Sequence, residues 1–92
     1  MPKYKKKPIV IEAVQFDGNF RCLEVFDEYE IRDFIVKLDN QKNICIQIPT
    51  LEGVMTATKG DYIIREPFPS GDRQFYPCKP DIFEATYIYI SE

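Results

Sequence analysis

The chain has 92 residues, a length that accommodates a single domain with one modest hydrophobic core. Hydrophobic residues make up 45% of the chain and charged residues 29%, a balance that excludes an intrinsically disordered protein. The net charge is −3, but four lysines lie within the first seven residues, so the remainder carries −7 and lacks the broad basic face of a DNA-binding protein.

The apolar segments limit the classes of protein further. No segment approaches the ~20 apolar residues that span a bilayer, so no membrane contact is predicted. The basic opening MPKYKKK is followed by no cleavage-site pattern, which argues against a secretory signal. We therefore expect a single domain over 1–92, with a basic N-terminal arm over 1–7, that remains in the cytoplasm.

The first predicted element is a strand over 9–16, with the sequence IVIEAVQF. β-Branched and aromatic residues dominate it, and apolar side chains stand at both odd and even positions apart from Glu12 and Gln15. This pattern is typical of a strand covered on both faces, so we expect it at the centre of its sheet. Gly18 and Asn19 then predict a turn.

The next segment has a helical period. Its apolar residues fall at i, i+3, i+4 and i+7, as Ile31, Phe34, Ile35 and Leu38. Asp27, with a glutamate three residues later, has the spacing of a capping box. We therefore predict an amphipathic helix over 28–39, with its apolar stripe packed against the sheet.

Strands and turns are predicted from there towards the C-terminus. The strands cover 44–48, 54–58, 62–66 and 74–76. The first two form a hairpin, and a long loop over 67–73 precedes the last. Pro80 predicts the first turn of a short helix that runs through Ala85.

The C-terminal segment TYIYI predicts a last strand over 86–90. Its isoleucines would face one side and Tyr87 and Tyr89 the other, as in a strand covered on one face. Together these elements predict an α+β fold: a small, mostly antiparallel sheet or partly open barrel with one amphipathic helix.

The residue types that usually carry catalysis are scarce. The chain contains no histidine, which excludes the usual Ser/His and Cys/His nucleophilic pairs. Cys22, Cys45 and Cys78 show no C-x-x-C spacing, so they predict reduced thiols rather than a zinc site or a redox pair. Paired carboxylates such as Asp27 and Glu28 are typical of a solvated helix face. We expect no catalytic residue, no metal and no cofactor, and hence a protein that is not an enzyme.

The segment FYPCKPDIFEATY, residues 75–87, has the most unusual local composition. Two prolines hold its backbone rigid, and such a segment presenting Tyr76 and Lys79 would stack on a base and neutralise a phosphate. In the alternative interpretation Phe75 and Phe83 are core residues, the prolines shape a turn, and the lysine is an ordinary surface residue.

Three segments of the chain resemble one widespread group of small phage and prophage proteins. The segments are KYKKKPIVIEAVQF near the N-terminus, GDYII at 60–64 and FYPCKPDIFEATY at 75–87. The group carries a KY-x-KKP-V-x-IEA-x-Q opening, a GD(Y/W)II element and a closing FYPCKPDIFE-x-TY. The resemblance covers both ends and the third quarter of the chain, whereas residues 19–50 are not diagnostic.

The resemblance implies a phage or prophage accessory protein that acts by binding. The group is similar in size to the sponge proteins with which phages bind the cyclic nucleotide signals of CBASS, a bacterial antiphage defence, and we expect a relationship to one such sponge family. A sponge binds its ligand tightly and leaves it intact, which suits a chain without predicted catalytic residues. Phe16 stands where the group often carries tryptophan, so its stacking on a ligand would be weaker.

The implied ligand is a cyclic dinucleotide in the host bacterial cytoplasm, and this ligand defines the candidate site. Aromatic rings would stack on its bases, a glutamine would read a base edge, and cations would meet the phosphates. The candidate ligand-binding residues are Tyr4, Lys6, Gln15, Phe16, Arg65, Tyr76 and Lys79.

We also expect a homo-oligomer with its site near a subunit contact, for which the predicted strand over 86–90 is the candidate. A domain of this size leaves little volume for a small-molecule pocket, and a cleft between subunits would supply it. The alternative is a monomer whose C-terminal tyrosines cover its own core. Two other functions fit the same sequence: a virion or assembly structural protein, or an inhibitor that binds a host protein.

Overall fold

The computed structural model describes residues 1–5, 8–67 and 73–90, with the side chains of Pro67 and Arg73 left aside. This part of the chain contains six strands, a 3₁₀ helix and one α-helix. They are β1 (Glu12–Gln15), the 3₁₀ helix (Phe20–Val25), β2 (Ile35–Leu38), β3 (Ile44–Thr50), β4 (Gly53–Ala57), β5 (Tyr62–Pro67), β6 (Arg73–Cys78) and α1 (Pro80–Thr86). The predicted α+β class is confirmed. Within the described residues, no helix has the length and apolar character needed to cross a membrane.

The strands form two antiparallel sheets of three strands each. Sheet A has the order β1-β5-β6, and sheet B has the order β2-β3-β4. In sheet A, Glu12 pairs with Arg65 and Ile64 pairs with Tyr76. In sheet B, Ile46 of β3 lies between Val36 and Ala57. Over the described residues the two sheets do not close into a barrel.

The hydrophobic core lies between the two sheets. Its buried members are Phe16, Leu23, Phe26, Ile46, Ile48, Ala57, Ile63 and Phe75. The ring of Phe75 meets those of Phe26 and Phe34 edge-on, with centroids 5.0 and 5.2 Å apart. Edge-to-face contacts of this kind stabilise a core by roughly 0.5–1.5 kcal/mol beyond the area they bury.

The other face of sheet A is covered by α1. Because side chains alternate along a strand, Tyr62 and Ile64 point away from the core residue Ile63. Phe83 of α1 stacks on Tyr62 with ring centroids 3.8 Å apart and planes 9° apart. Ile64 on the same face is completely buried. The second face of sheet A is therefore an apolar contact with α1, separate from the main core.

The predicted helix over 28–39 is wrong. Residues 28–33 form turns, in which the backbone amides of Glu30 and Ile31 donate to the carbonyl of Asp27, and β2 begins at Ile35. The β-branched pair at 35–36 prefers extended backbone, and β3 supplies the hydrogen-bond partners for it. Of the predicted apolar stripe, only the first two side chains pack against the core. Ile35 and Leu38 are 51% and 64% exposed.

The predicted position of the first strand is wrong as well. β1 covers only Glu12–Gln15 and lies at an edge of sheet A, while Ile9 and Val10 before it are exposed. The central strand of sheet A is β5, in which Ile63 and Ile64 are both completely buried. Burial on both faces therefore belongs to β5 and not to β1.

Most of the elements predicted for the C-terminal half are confirmed, and one is wrong. The hairpin formed by β3 and β4, the strands β5 and β6, and a short helix that begins at Pro80 are all confirmed. The predicted strand over 86–90 is wrong, because Thr86 is the last residue of α1 and residues 87–90 pair with no strand of the described chain. Most of the predicted loop over 67–73 lies outside the described residues.

Candidate functional site

The structure places the predicted site residues at several separate positions. Tyr4 lies in the N-terminal arm with its side chain 95% exposed, and Lys6 lies outside the described residues. Phe16 is completely buried in the core. Its predicted stacking on a ligand is therefore wrong for this structure, because no face of the ring reaches the surface.

Arg65 is held by two carboxylates of the protein itself. It lies on β5, and its guanidinium donates to Glu30 from Nε and Nη2 at 3.2 and 2.9 Å and from Nη1 to Glu12. Burial lowers the pKa of Arg65, but the hydrogen bonds and negative charges of the two glutamates outweigh this and raise it. The paired charges connect β1, β5 and the 28–33 turns, which is a structural role.

Tyr76 lies on the opposite face of sheet A, beside α1. Its hydroxyl donates to the carboxylate of Glu66 at 2.6 Å and lies 3.5 Å from the hydroxyl of Tyr87. Burial, followed by the hydrogen bond to Glu66, raises the pKa of Tyr76 well above its ordinary value. Arg65 and Tyr76 therefore do not share a site.

Gln15 and Lys79, in contrast, meet at one turn. The side-chain amide of Gln15 at the end of β1 donates to the carbonyl of Gly60 at 3.0 Å. The ammonium of Lys79, just before α1, lies 3.2 and 3.3 Å from the two carboxylate oxygens of Asp61. Of the seven predicted residues, Gln15 and Lys79 bind this turn through their side chains, and Phe16 binds it through its backbone.

Asp61 organises the turn that joins β4 to β5. Its carboxylate is almost completely buried and accepts hydrogen bonds from the amide of Thr58 at 2.9 Å and the hydroxyl of Thr58 at 3.3 Å. Gly60 has a φ of +98°, which glycine adopts without strain. Its amide donates to the carbonyl of Phe16 at 2.7 Å. The turn is therefore fixed against both the end of β1 and Lys79.

Two further turns lie beside this one. Because the strands are antiparallel, β1 and β2 end, and β3 and β5 begin, at the same side of the molecule. We call this side the loop end and define it by the turns over 16–19, 39–43 and 58–61. A depression of about 390 Å³ lies between them, and its lining residues are Asp17, Gly18, Asp39, Asn43, Ile44, Thr58 and Lys59.

The loop end offers hydrogen-bonding groups of both kinds. One carboxylate oxygen of Asp17 accepts from the amide of Asn19, and one of Asp39 accepts from the amides of Gln41 and Asn43. These bonds hold the two aspartates in place and leave a second oxygen on each. Lys59 adds a cation, and its stem runs about 3.5 Å from where a Cβ on Gly18 would lie.

A second depression, of about 300 Å³, lies at the other end of sheet B. It is lined by Glu30, Asp33, Phe34, Pro49, Thr50, Leu51, Gln74 and Phe75. Its carboxylates face no lysine or arginine among those lining residues, and Glu30 is already occupied by Arg65. The loop end is therefore the better candidate for an anionic or zwitterionic ligand.

Cys22 and Cys78 contribute no activated nucleophile to either place. Burial, with the negative charges of Asp61 and Asp81, raises the pKa of the Cys78 thiol, and burial raises that of Cys22. A raised pKa reduces the thiolate fraction at neutral pH. In the described residues, no cluster of three or more cysteine, aspartate and glutamate side chains has the arrangement of a metal site.

Sequence reasoning found only part of this site. It predicted the turn at Gly18 and a connection between the strands over 54–58 and 62–66, and it proposed Gln15 and Lys79, but it ended a helix at residue 39. Asp17, Asp39, Asn43 and Lys59 were not predicted, because their proximity depends on β2 pairing with β3. No family model matches the chain, and no curated protein or solved structure is significantly similar to it.

Proposed function

We propose that the protein acts by binding, and that it sequesters a cyclic dinucleotide signal of host antiphage immunity at the loop end without turning it over. In this proposal it is a phage or prophage accessory protein of the host bacterial cytoplasm. The observation that carries the proposal is the depression of about 390 Å³ at the loop end, which Lys59 and the carboxylates of Asp17 and Asp39 line. That volume lies within the ~300–1,000 Å³ typical of small-molecule sites. Gln15 and Lys79 bind the 58–61 turn outside that lining.

The groups at the loop end suit the parts of a nucleotide. The second carboxylate oxygens of Asp17 and Asp39, which have no donor among the described residues, suit hydrogen bonds from base N–H groups and ribose hydroxyls. The ammonium group of Lys59, which lines the depression, suits phosphate oxygens. Lys79 does not line the depression, but it is bound to the neighbouring 58–61 turn by its ion pair with Asp61, and its side chain is 61% exposed. Asn43 both donates and accepts, as reading a base edge requires.

The scarcity of nucleophilic side chains at the loop end supports binding without turnover. The chain has no histidine, and burial raises the pKa of Cys22, which hydrogen-bonds the backbone of Asp17 at the loop end, and that of Cys78. No histidine is available as a general base, and the raised thiol pKa values disfavour a thiolate nucleophile that would attack a phosphodiester. The proposal therefore requires tight, reversible binding, as in a sponge.

The proposal includes a homo-oligomer. A depression of about 390 Å³ is near the small end of ligand sites, whereas a dinucleotide carries two bases. A two-fold related copy would supply an identical second half, which suits a ligand with near two-fold symmetry.

A thermal-shift panel tests the proposal directly. The purified protein is heated with cyclic di-AMP, cyclic di-GMP or cyclic GMP–AMP, and with ATP as a linear control. A bound nucleotide at 100 times its dissociation constant raises the free energy of unfolding by about 2.7 kcal/mol. The supernatant of the denatured complex is then analysed by chromatography, and we expect intact nucleotide.

Two results would contradict the proposal. Hydrolysed or linear product above trace level would make the protein an enzyme. If no cyclic dinucleotide changes the melting temperature, the sponge function is wrong, and the virion, assembly or host-inhibitor functions are then favoured.

A further inference from the structure

The C-terminal segment Tyr87–Ile90, which follows α1, presents apolar side chains to solvent. Ile88, Tyr89 and Ile90 are 88%, 76% and 69% exposed, and they pair with no strand among the described residues. Tyr87 already has the extended backbone of a strand, with φ −119° and ψ 150°. β-Branched and aromatic residues in extended conformation favour pairing with a sheet edge.

A sheet edge of matching character exists in the same molecule. β2 lies at the edge of sheet B and pairs only with β3, so the backbone groups on its other side are open within the described structure. Ile35, Val36 and Leu38 are 51%, 47% and 64% exposed. The edge strand β1 of sheet A, with the sequence EAVQ, is polar by comparison.

We infer that residues 88–90 of one copy add to β2 of a second copy as an antiparallel strand, and that the reciprocal exchange forms a two-fold dimer. This inference rests on the proposed homo-oligomer and assigns its two surfaces. A two-fold axis makes the contact twice, because each copy both donates its C-terminal segment and accepts that of its partner.

The alternation of the two segments fixes the register. With Tyr89 opposite Lys37, Ile88 lies opposite Leu38 and Ile90 lies opposite Val36. The two isoleucines then extend the face of sheet B that carries the core residue Ile46, since Val36 and Ile46 are direct partners. The ring of Tyr89 meets the ammonium of Lys37 on the other face, where a cation–π contact is favourable. A shift by one residue would place tyrosine against the apolar pair and lose both contacts.

The strand that adds to β2 comes from a second copy, because residues 88–90 of the same chain start on the far side of sheet A from β2. α1 lies on the face of sheet A that is turned away from the core, as the stack of Phe83 on Tyr62 requires. Three extended residues span about 10 Å, which is only about the spacing of two packed sheets. Residues 88–90 would have to pass around sheet A before they met β2.

Disulfide trapping between two variants tests the contact. Leu38→Cys and Ile88→Cys chains are purified separately, mixed, oxidised and run on a non-reducing gel, with the wild type as background for the native cysteines. Opposed Cβ atoms in an antiparallel pair lie about 4.5–5.5 Å apart, close to the distance that a disulfide bridges. We expect a covalent dimer in the mixture and not in either variant alone. A mixture that cross-links no more than the separate variants would overturn the inference.

Light scattering separates this inference from the proposed oligomer. We expect the wild type to have twice the 10.8 kDa mass of one chain at micromolar concentration. Tyr89→Lys, which sets two lysines opposite each other, should weaken dimerisation at least tenfold, whereas Ile82→Lys on the exposed side of α1 should not. A monomeric wild type contradicts both proposals. A Tyr89→Lys dimer as tight as the wild type contradicts this one alone, and ligand binding at the loop end is measured independently of either.

Discussion

Tyr76 was predicted to bind ligand, but in the structure its hydroxyl is held by a hydrogen bond within the protein. Its hydroxyl donates to Glu66 on the neighbouring strand, and burial and this bond together raise its pKa. An unfolded tyrosine titrates near pH 10. The folded state therefore holds the Tyr76 proton at a pH where the unfolded state has lost it, and the free energy of unfolding falls as pH rises above about 10.

Tyr76→Phe tests this assignment. The variant should lose about 1.5 kcal/mol of stability at neutral pH, from a hydrogen bond to a charged acceptor, and its stability should decrease less steeply above pH 10. Absorbance at 295 nm should show a tyrosine ionisation that accompanies unfolding in the wild type and is missing from the variant. Tyr29→Phe, at an exposed tyrosine, is the control. Full ionisation of all wild-type tyrosines before unfolding would refute the assignment.

Asp61 and Lys79 form an ion pair whose partners contribute differently to the stability of the fold. Asp61 is buried and accepts hydrogen bonds from Thr58, whereas the lysine side chain is largely exposed. We expect Asp61→Ala to destabilise the fold by about 1–3 kcal/mol, because it leaves the Thr58 amide without its acceptor. Lys79→Ala should cost about 0–1 kcal/mol. Denaturant unfolding of both variants, with Asp61→Asn as a charge-only control, measures this. Equal losses for Asp61→Ala and Lys79→Ala would contradict the described turn.

At the scale of elements, the segment over 28–39 distinguishes this structure from the sequence prediction. In a helix, Phe34 and Ile35 would both lie on the buried stripe. In the structure Phe34 packs against Phe75, while Ile35 lies on an edge strand and is half exposed. We expect Phe34→Ala to cost about 2–4 kcal/mol and Ile35→Ala less than about 1 kcal/mol. Urea denaturation gives both values. Equal large losses of stability would contradict the described structure and favour the predicted helix over 28–39.

The local sequence pattern was sufficient to predict the elements whose ends are defined by residues within or next to them. The hairpin of β3 and β4 and the helix that begins at Pro80 were predicted because glycine and proline define their turns. It was insufficient for β2, since a 3.6-residue period coincided with β-branched residues that pair with β3. Similarly, Ile63 and Ile64 do not differ in sequence pattern from the apolar residues at 9–11, and only the strand order makes β5 central.

The candidate site was predictable to the same limited degree. Gln15 and Lys79 were proposed from residue type, and both bind the 58–61 turn, while their contact with a ligand stays a prediction. Phe16 was expected to stack on a ligand, but its position next to the end of β1 places it in the core. Asp17, Asp39 and Lys59 come from turns that are distant in sequence, so only the antiparallel topology brings them together.

At the scale of the whole molecule, the fold separates two surfaces. The loop end gathers charged and polar groups from three turns, while β2 and the C-terminal segment carry exposed apolar side chains. The first surface suits a small polar ligand and the second suits a protein contact. The proposed sponge uses both, with ligand binding at the first and assembly at the second.

Calorimetry on loop-end variants tests the central claim most directly. The titrant is the cyclic dinucleotide that gives the largest thermal shift, and the variants are Lys59→Ala and Lys79→Ala. We predict that each variant binds with a dissociation constant at least tenfold larger than that of the wild type, equivalent to about 1.4 kcal/mol. The control Arg32→Ala, in the 28–33 turns, should bind with unchanged affinity. Wild-type affinity in both lysine variants would contradict the claim that the loop end is the binding site.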